Sequence, residues 1–521
     1  MSKPLSFDFH FSQTPGAQER EPQQPLRMLV IGNFSGRSTT ELAAAASPLA
    51  QRKIQRVDVD NFEDLLAQKK PRLMLPLGQP DELNLEIEFR ELEDFHPDQL
   101  LERLAIFQQL RDLRQQLQNP QTFAEAAKQL RKTLPDSPAE ATAPASPPAT
   151  PSPSKESNAE TLQRILGNSV SVPEPAAGGS AAVDVRRLIE EIVAPYVLPG
   201  ADPRQEEYLQ CLDAAVTAQL RAILHHEAFQ SLESSWRGLH FLVSQVAMAE
   251  EVQVSLWDVT QDELQSALAT DSGQLQDSLL YQRLVVEREH APWSLMVSEL
   301  SFGAQEADLR LLAGLGAIAS QAGGPLLASA APSLLGHEAW TANLQSPPSP
   351  GAARQADEKA PPADGESDNW QALRASPLAP WIGLAAPRFL LRRPYGAASD
   401  PLEAFPFEEL QDPANQHAGY LWGAPALFCA TLLGTAFLDR QWQMTPNDRL
   451  ELGELPAVTF TVDGEVQLKA CAEAYLSERQ AESLLAAGIM PLLSFKNRNA
   501  IRVPRFQSIA EPLAALAGPW A

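Results

Sequence analysis

The stretch AQLRAILHHEAFQSLESSWRGLHFLV spans residues 218–243. It reads as helix, turn, helix, the first helix covering 213–224. Trp236 and Leu239 are core anchors of the second helix, and Arg237 is a candidate for a buried ion pair. Downstream, helices and strands alternate. Val252, Val254 and Leu256 take every second position of a strand. Thr260-x-x-Glu263 is a capping box that opens the next helix. A strand over 293–297 precedes a helix over 309–321, closed by Gly323-Gly324. Short strands follow at 326–328 and 381–384. This order predicts an α/β (mixed α+β) fold, with mixed sheets covered by helices.

Upstream, Phe7, Phe9 and Phe11 alternate with Asp8 and His10, a strand with one apolar face. Residues 26–31 form a second strand, ended by Gly32 and the turn GNFSGR. Gly32 and Gly36 are expected to supply permissive dihedrals there. Leu83, Leu85, Ile87 and Phe89 mark a half-buried strand. A helix starts at Pro97-Asp98 and runs through Leu117 on apolar steps of three and four.

Two segments lack the apolar residues needed to offset ordering entropy. Residues 134–158 hold seven prolines between Pro135 and Pro153 and read as a tether. Residues 345–368 hold five prolines and read as a loop insertion within one domain. The expected division is a domain over 1–132, a linker over 133–158, and a region over 159–521 carrying that insertion. The 521-residue chain has 41 Lys+Arg against 66 Asp+Glu, a formal net charge of −25. Residues 1–132 carry 17 basic and 19 acidic residues, so nearly all the acidity lies beyond them. That balance argues against nucleic acid or an anionic membrane as partner. Cys211, Cys429 and Cys471 are widely spaced, which fits structural thiols in a reducing compartment. The most apolar stretch, 421–438, carries Gly423, Pro425 and Gly434 and reads as a buried helix rather than a membrane span.

No catalytic constellation emerges. His226-Glu227 and His337-Glu338 begin HE pairs, but Gln230 and Thr341 stand where a zinc site needs a second histidine. In Gly32-Asn-Phe-Ser35-Gly36 the serine falls one place late for a nucleophile elbow. There is no phosphate-binding loop, and Gly314-Leu-Gly316 reads as close helix packing. No metal, cofactor or catalytic residue is expected.

The 218–243 stretch resembles the large subunit (TssC type) of the contractile sheath of bacterial type VI secretion systems. The match lies at Leu224, His225, His226, Phe229, Leu232, Glu233, Trp236, Arg237, Gly238 and Leu239. WIGLAAPRFLLRRPYG (381–396) resembles another stretch of that family through Pro387, Arg388, Phe389, Pro394, Tyr395 and Gly396. FPFEE (405–409) and GIMPLL (488–493) continue the likeness. LRMLVIGNFSGR, RKIQRVDVDNFEDLL and LEDFHPDQL (92–100) are similar, in order, to the small subunit (TssB type). The chain thus resembles a small–large fusion. The usual large subunit continues into an aromatic-rich stretch, which this chain is expected to lack.

The resemblance implies a structural, cytoplasmic role in which an interlocked protomer stacks around an inner tube and contracts by rearranging interfaces. It implies other sheath subunits, an inner-tube ring protein and baseplate components as partners. Phe7, Phe9 and Phe11 are expected either to add to a neighbour's sheet or to pair within their own domain. The segment 158–168 resembles a helix bound by the system's AAA+ unfoldase, with Leu162, Ile165 and Leu166 on one face; packing on its own domain is the alternative. A sheath-like adaptor or capping protein that docks without polymerising is the competing expectation for the whole chain.

Overall fold

The structure is a computed structural model. It describes residues 23–37, 48–76, 84–119, 121–132, 205–247, 250–270, 274–287, 292–340, 366–413, 415–462 and 465–520. Phe7, Phe9, Phe11, Leu162, Ile165 and Leu166 lie outside these residues, as do the tether and residues 345–365 of the insertion.

The largest sheet has seven strands: β1 (Leu26–Gly32), β2 (Gln55–Val57), β3 (Val252–Asp258), β4 (Leu295–Phe302), β5 (Leu326–Ala330), β6 (Ile382–Ala386) and β7 (Ile489–Pro491). Their order is β7-β6-β5-β4-β1-β3-β2. All neighbours are parallel except β2, which runs antiparallel to β3 at one edge. A strand buried on both faces must be apolar along its length. β1, LRMLVIG, is apolar but for the half-buried Arg27 and lies between β3 and β4, so Met28 pairs with Val254 on one side and Leu295 on the other.

Helices supply the covering layers. α1 (Gln205–Leu224) begins eight residues before the expected start at 213, and α2 (Glu227–Val246) follows after a turn. α3 (Gln261–Leu268) opens on the expected capping box, with both reciprocal hydrogen bonds between Thr260 and Glu263 present. α4 (Glu306–Ala322) ends at Gly323, whose φ of 107° places it in the left-handed region. Its Gly314 and Gly316 leave room for Leu268 and Ile382, the close packing expected of them. α5 (Pro425–Arg440) is the apolar helix of the 421–438 stretch, buried along most of its length. Among the described residues, no helix is long and apolar enough to cross a membrane.

Two expectations are corrected. The helix expected from Pro97 through Leu117 is two, Pro97–Arg103 and Ala105–Gln118, broken at the extended, buried Leu104. No glycine or proline announces that break, and the apolar spacing runs through it. Of the two turn glycines, only Gly36 has a positive φ, 72°. Gly32 serves close approach instead: a Cβ there would collide with the Glu299 carboxyl.

The described residues fall into two compact units. One draws on Met1–Pro71, Ser231–Pro394 and Leu410–Ala521; the other on Arg72–Gln230 and Tyr395–Glu409. The first holds the seven-stranded sheet. The second holds the hairpin Arg72–Pro76/Asn84–Glu88, the helices around residues 97–132, and α1. The boundary between them does not coincide with the tether.

Candidate functional site

In the sheet-bearing unit, Trp236 sits on α2 and is fully buried. Its Nε1 donates to the Phe34 carbonyl at 2.8 Å, which satisfies the one polar atom of the indole. The rings of Phe34 and Phe62 meet it edge-on at 5.4 and 5.7 Å. Trp236 therefore ties α2 to the turn after β1. Leu232 is buried on the same helix, and Gly238 stands close against Leu427 of α5.

The turn is fixed from its other side by Asp258, the last residue of β3. The Phe34 N–H donates to Asp258 Oδ1 at 3.0 Å and the Ser35 hydroxyl at 3.1 Å. Arg37 donates to Asp258 Oδ2 at 2.8 Å and reaches Glu263 at 3.5 Å. Arg52 donates to Glu263 Oε2 at 2.7 Å and to the Asp258 carbonyl at 3.1 Å, with a second short contact to Glu263 Oε1. Burial pushes the Glu263 carboxyl up, but Arg52, the Thr260 N–H and Arg37 outweigh it and hold it at about 2. One acid thus caps α3 and binds two arginines from the segment before residue 60.

A second buried cluster lies at the α2 face. Glu233 is wholly buried and receives Arg392 through two bonds, Nε to Oε1 at 2.7 Å and Nη2 to Oε2 at 3.1 Å. Arg237 Nε also donates to Oε1 at 2.7 Å. Arg237 is the ion-pair residue expected from its position. Arg392 is the more buried partner and the one that reading missed; its only signal was its place in LLRRPYG.

Phe389 is buried between Phe241 and Phe428, at 5.1 and 5.5 Å. Arg388 forks onto Glu473, with bonds of 3.0 and 2.7 Å. Burial raises the Glu473 carboxyl, but His417, with Nε2 at 3.7 Å, and the Arg388 fork hold it at about 2. Pro387 and Pro394 flank this stretch. Burial pushes the Cys429 thiol up, and that of Cys471 to about 11, so both stay protonated structural thiols.

In the other unit, Leu224 and Phe229 are buried. Phe229 meets Phe89 and Phe95 edge-on at 5.9 and 5.7 Å, and those two rings stack at 4.1 Å. The Tyr395 N–H donates to Glu409 Oε2 at 2.8 Å, and the Glu409 N–H returns a bond to the Tyr395 carbonyl at 2.9 Å. Gly396 accommodates the Glu408 carboxyl, which a Cβ would displace. The motif residues thus fall into separate cores rather than one pocket. Among the described residues, no group of His, Cys, Asp and Glu could hold a metal.

This geometry holds a fold together. The family model described as "EvpB/VC_A0108, tail sheath N-terminal domain" matches residues 206–509. The model described as "Type VI secretion system, VipA, VC_A0107 or Hcp2" matches residues 8–141. The type VI secretion system sheath protein TssC1 of Pseudomonas aeruginosa is 33% identical over 316 residues, covering 59% of this chain and 61% of its own. The sheath protein TssB1 of the same organism is 31% identical over 111 residues, 20% of this chain and 62% of its own. The chain therefore spans under two thirds of either relative. With the tail-sheath domain matched over more than half its length and a VipA-type segment before it, the chain belongs to the type VI secretion sheath family and joins a TssB-like and a TssC-like portion in one polypeptide.

Proposed function

We propose that this chain is a structural, cytoplasmic component of a type VI secretion contractile sheath, forming or joining the tubule that propels an inner tube. The observation that supports it most is the place of β1: a strand from the TssB-like portion fills the sheet between two strands of the TssC-like portion. One polypeptide thereby makes an interlocked protomer of fixed stoichiometry. The reading takes 1–132 as the small-subunit part, 133–158 as its tether and 159–521 as the large-subunit part. Its partners are other sheath subunits, the inner-tube ring protein and baseplate components. The segment carrying Leu162, Ile165 and Leu166 is assigned to a AAA+ recycling unfoldase, and pulldown of that ATPase should be lost when 158–168 is deleted. Work is done by switching between interface packings rather than by side-chain catalysis.

Negative-stain microscopy of the purified full chain tests the reading. Long tubules are the expected result. Monomers, or short capped complexes alone, would replace it with the docking adaptor.

A further inference from the structure

Side-chain charge joins the TssB-like portion to the TssC-like portion within each unit. In the sheet-bearing unit, Arg37 pairs with Asp258 at 2.8 Å and reaches Glu263 at 3.5 Å, and Arg52 forks onto Glu263. Both guanidinium groups are 8% exposed. In the other unit, Arg114 of the helix Ala105–Gln118 forks onto Asp213 of α1, through Nε at 2.7 Å and Nη2 at 3.1 Å. The same guanidinium lies over the buried ring of Phe405, 6.0 Å from its centre. In each of these pairs the cation belongs to the TssB-like portion and the acid to the TssC-like one. Arg27, 4.5 Å from the centre of the Trp293 ring, repeats the polarity. Arg283 crosses in the other direction, but to the uncharged Arg52 carbonyl.

Long-range attraction does not account for this pairing. Residues 1–132 are slightly acidic and the rest strongly so, and net charges of one sign repel at a distance. The favourable charge is local. A partner without Glu263 takes a carboxylate from guanidinium groups held away from water, and a basic residue at that place would set like charges in contact. Selectivity is a difference between right and wrong partner, so the penalty on the wrong one matters as much as the gain on the right one. A partly exposed pair such as Arg114–Asp213 adds little stability alone, yet reversing one of its charges turns attraction into repulsion.

We propose that Arg52–Glu263 and Arg114–Asp213 are specificity determinants of the protomer. Through them a TssB-like portion accepts a TssC-like portion with acids at positions 213 and 263, in the same chain or a separate one, and refuses a portion with other residues there. Both pairs act within the interlocked protomer proposed above, on which this rule of partner choice rests.

The test uses the full chain with a protease site within 133–158, as wild type and as the swap Arg114→Glu with Asp213→Arg. These side chains are 22% and 24% exposed, so the swap places no charge in a core. The two cleaved complexes, one isotopically heavy, are mixed and held near the thermal midpoint until heavy and light wild-type controls have scrambled. Native mass spectrometry then reads which pieces are paired. Matched pairs should outnumber mixed ones by about tenfold. A second variant, Arg52→Gln with Glu263→Gln, changes little volume and keeps a capping residue for α3. It should sort from wild type in the same direction, by about threefold or more. Even sorting in either mixture would overturn the proposal and leave the protomer standing. Wild-type pieces that separate on cleavage would overturn the protomer and the proposal together.

Discussion

Glu299 carries the least expected chemistry of any single residue in the structure. It lies where the pairing of β4 with β5 slips, between Val297 and Ser301, and such irregularities re-aim a side chain. The residue as a whole is half-buried, yet its Oε2 is sealed from solvent without a hydrogen-bond partner. Burial raises its carboxyl to about 7, and the Ser235 hydroxyl only partly offsets this. An unfolded glutamate titrates near the ordinary 4.5, so between about 4.5 and 7 the folded chain holds a proton that the unfolded chain has lost. This residue therefore stabilises the fold at low pH, and the contribution fades as pH rises through 7. Glu299→Gln should flatten that part of the profile, read as urea midpoints at pH 5.5 and pH 8; an unchanged slope would remove Glu299 as its source. Glu233 matters through its pairing. Removing it takes the carboxylate from the buried Arg392, and Glu233→Ala should cost about 3–5 kcal/mol in denaturant unfolding. Glu233 stands in a recognisable motif, whereas nothing around Glu299 in the chain marks it. Gly32, more than 260 residues away, stands against its carboxyl, a neighbour that the sequence spacing does not reveal.

Among the elements, α3 shows how much of a local signal the rest of the fold consumes. Thr260-x-x-Glu263 is a legible cap, and the reciprocal bonds form as the spacing dictates. The same Glu263 also takes Arg52 and Arg37, which no local pattern announces because they lie about 210 residues upstream. Two substitutions separate these roles. Thr260→Ala should cost only a cap, about 1 kcal/mol. Glu263→Ala removes the cap and leaves two largely buried guanidinium groups short of a partner, and should cost about 3 kcal/mol or more. Equal shifts in the denaturant midpoint would mean that the arginine contacts contribute nothing. The strands near 26–31, 83–89, 252–256, 293–297, 326–328 and 381–384 are legible by alternation or apolar runs, their edges moved by up to five residues, whereas the short Gln55–Val57, Arg72–Pro76 and Ile489–Pro491 carry too few residues for a periodic signal. The break at Leu104 is not legible, since the residue is buried on the same face as its helical neighbours and the apolar rhythm conceals the change in backbone.

For the whole molecule, the decisive fact is that β1 has no substitute. Strand pairing between distant segments leaves no trace in local pattern, so two sheath-like portions could be recognised while their shared sheet could not. Removing β1 would leave β3 and β4 facing one another across about 10 Å, each with an open edge. β1 also buries Leu26, Met28, Leu29, Val30 and Ile31, which together contribute roughly 8–15 kcal/mol. That is as large as the whole net stability of an ordinary domain. A chain carrying 159–521 alone should therefore be insoluble or fail to unfold cooperatively. Supplying 1–132 as a second polypeptide should restore it, because the contacts along β1, Asp258 and Trp236 need proximity rather than covalent continuity. A protease site placed within 133–158 gives the complementary reading. After cleavage the two pieces should elute together in gel filtration, with a thermal midpoint that rises with protein concentration, as association linkage requires. If 159–521 expressed alone proved soluble, monomeric and cooperatively folded, the shared sheet would not be the basis of the protomer.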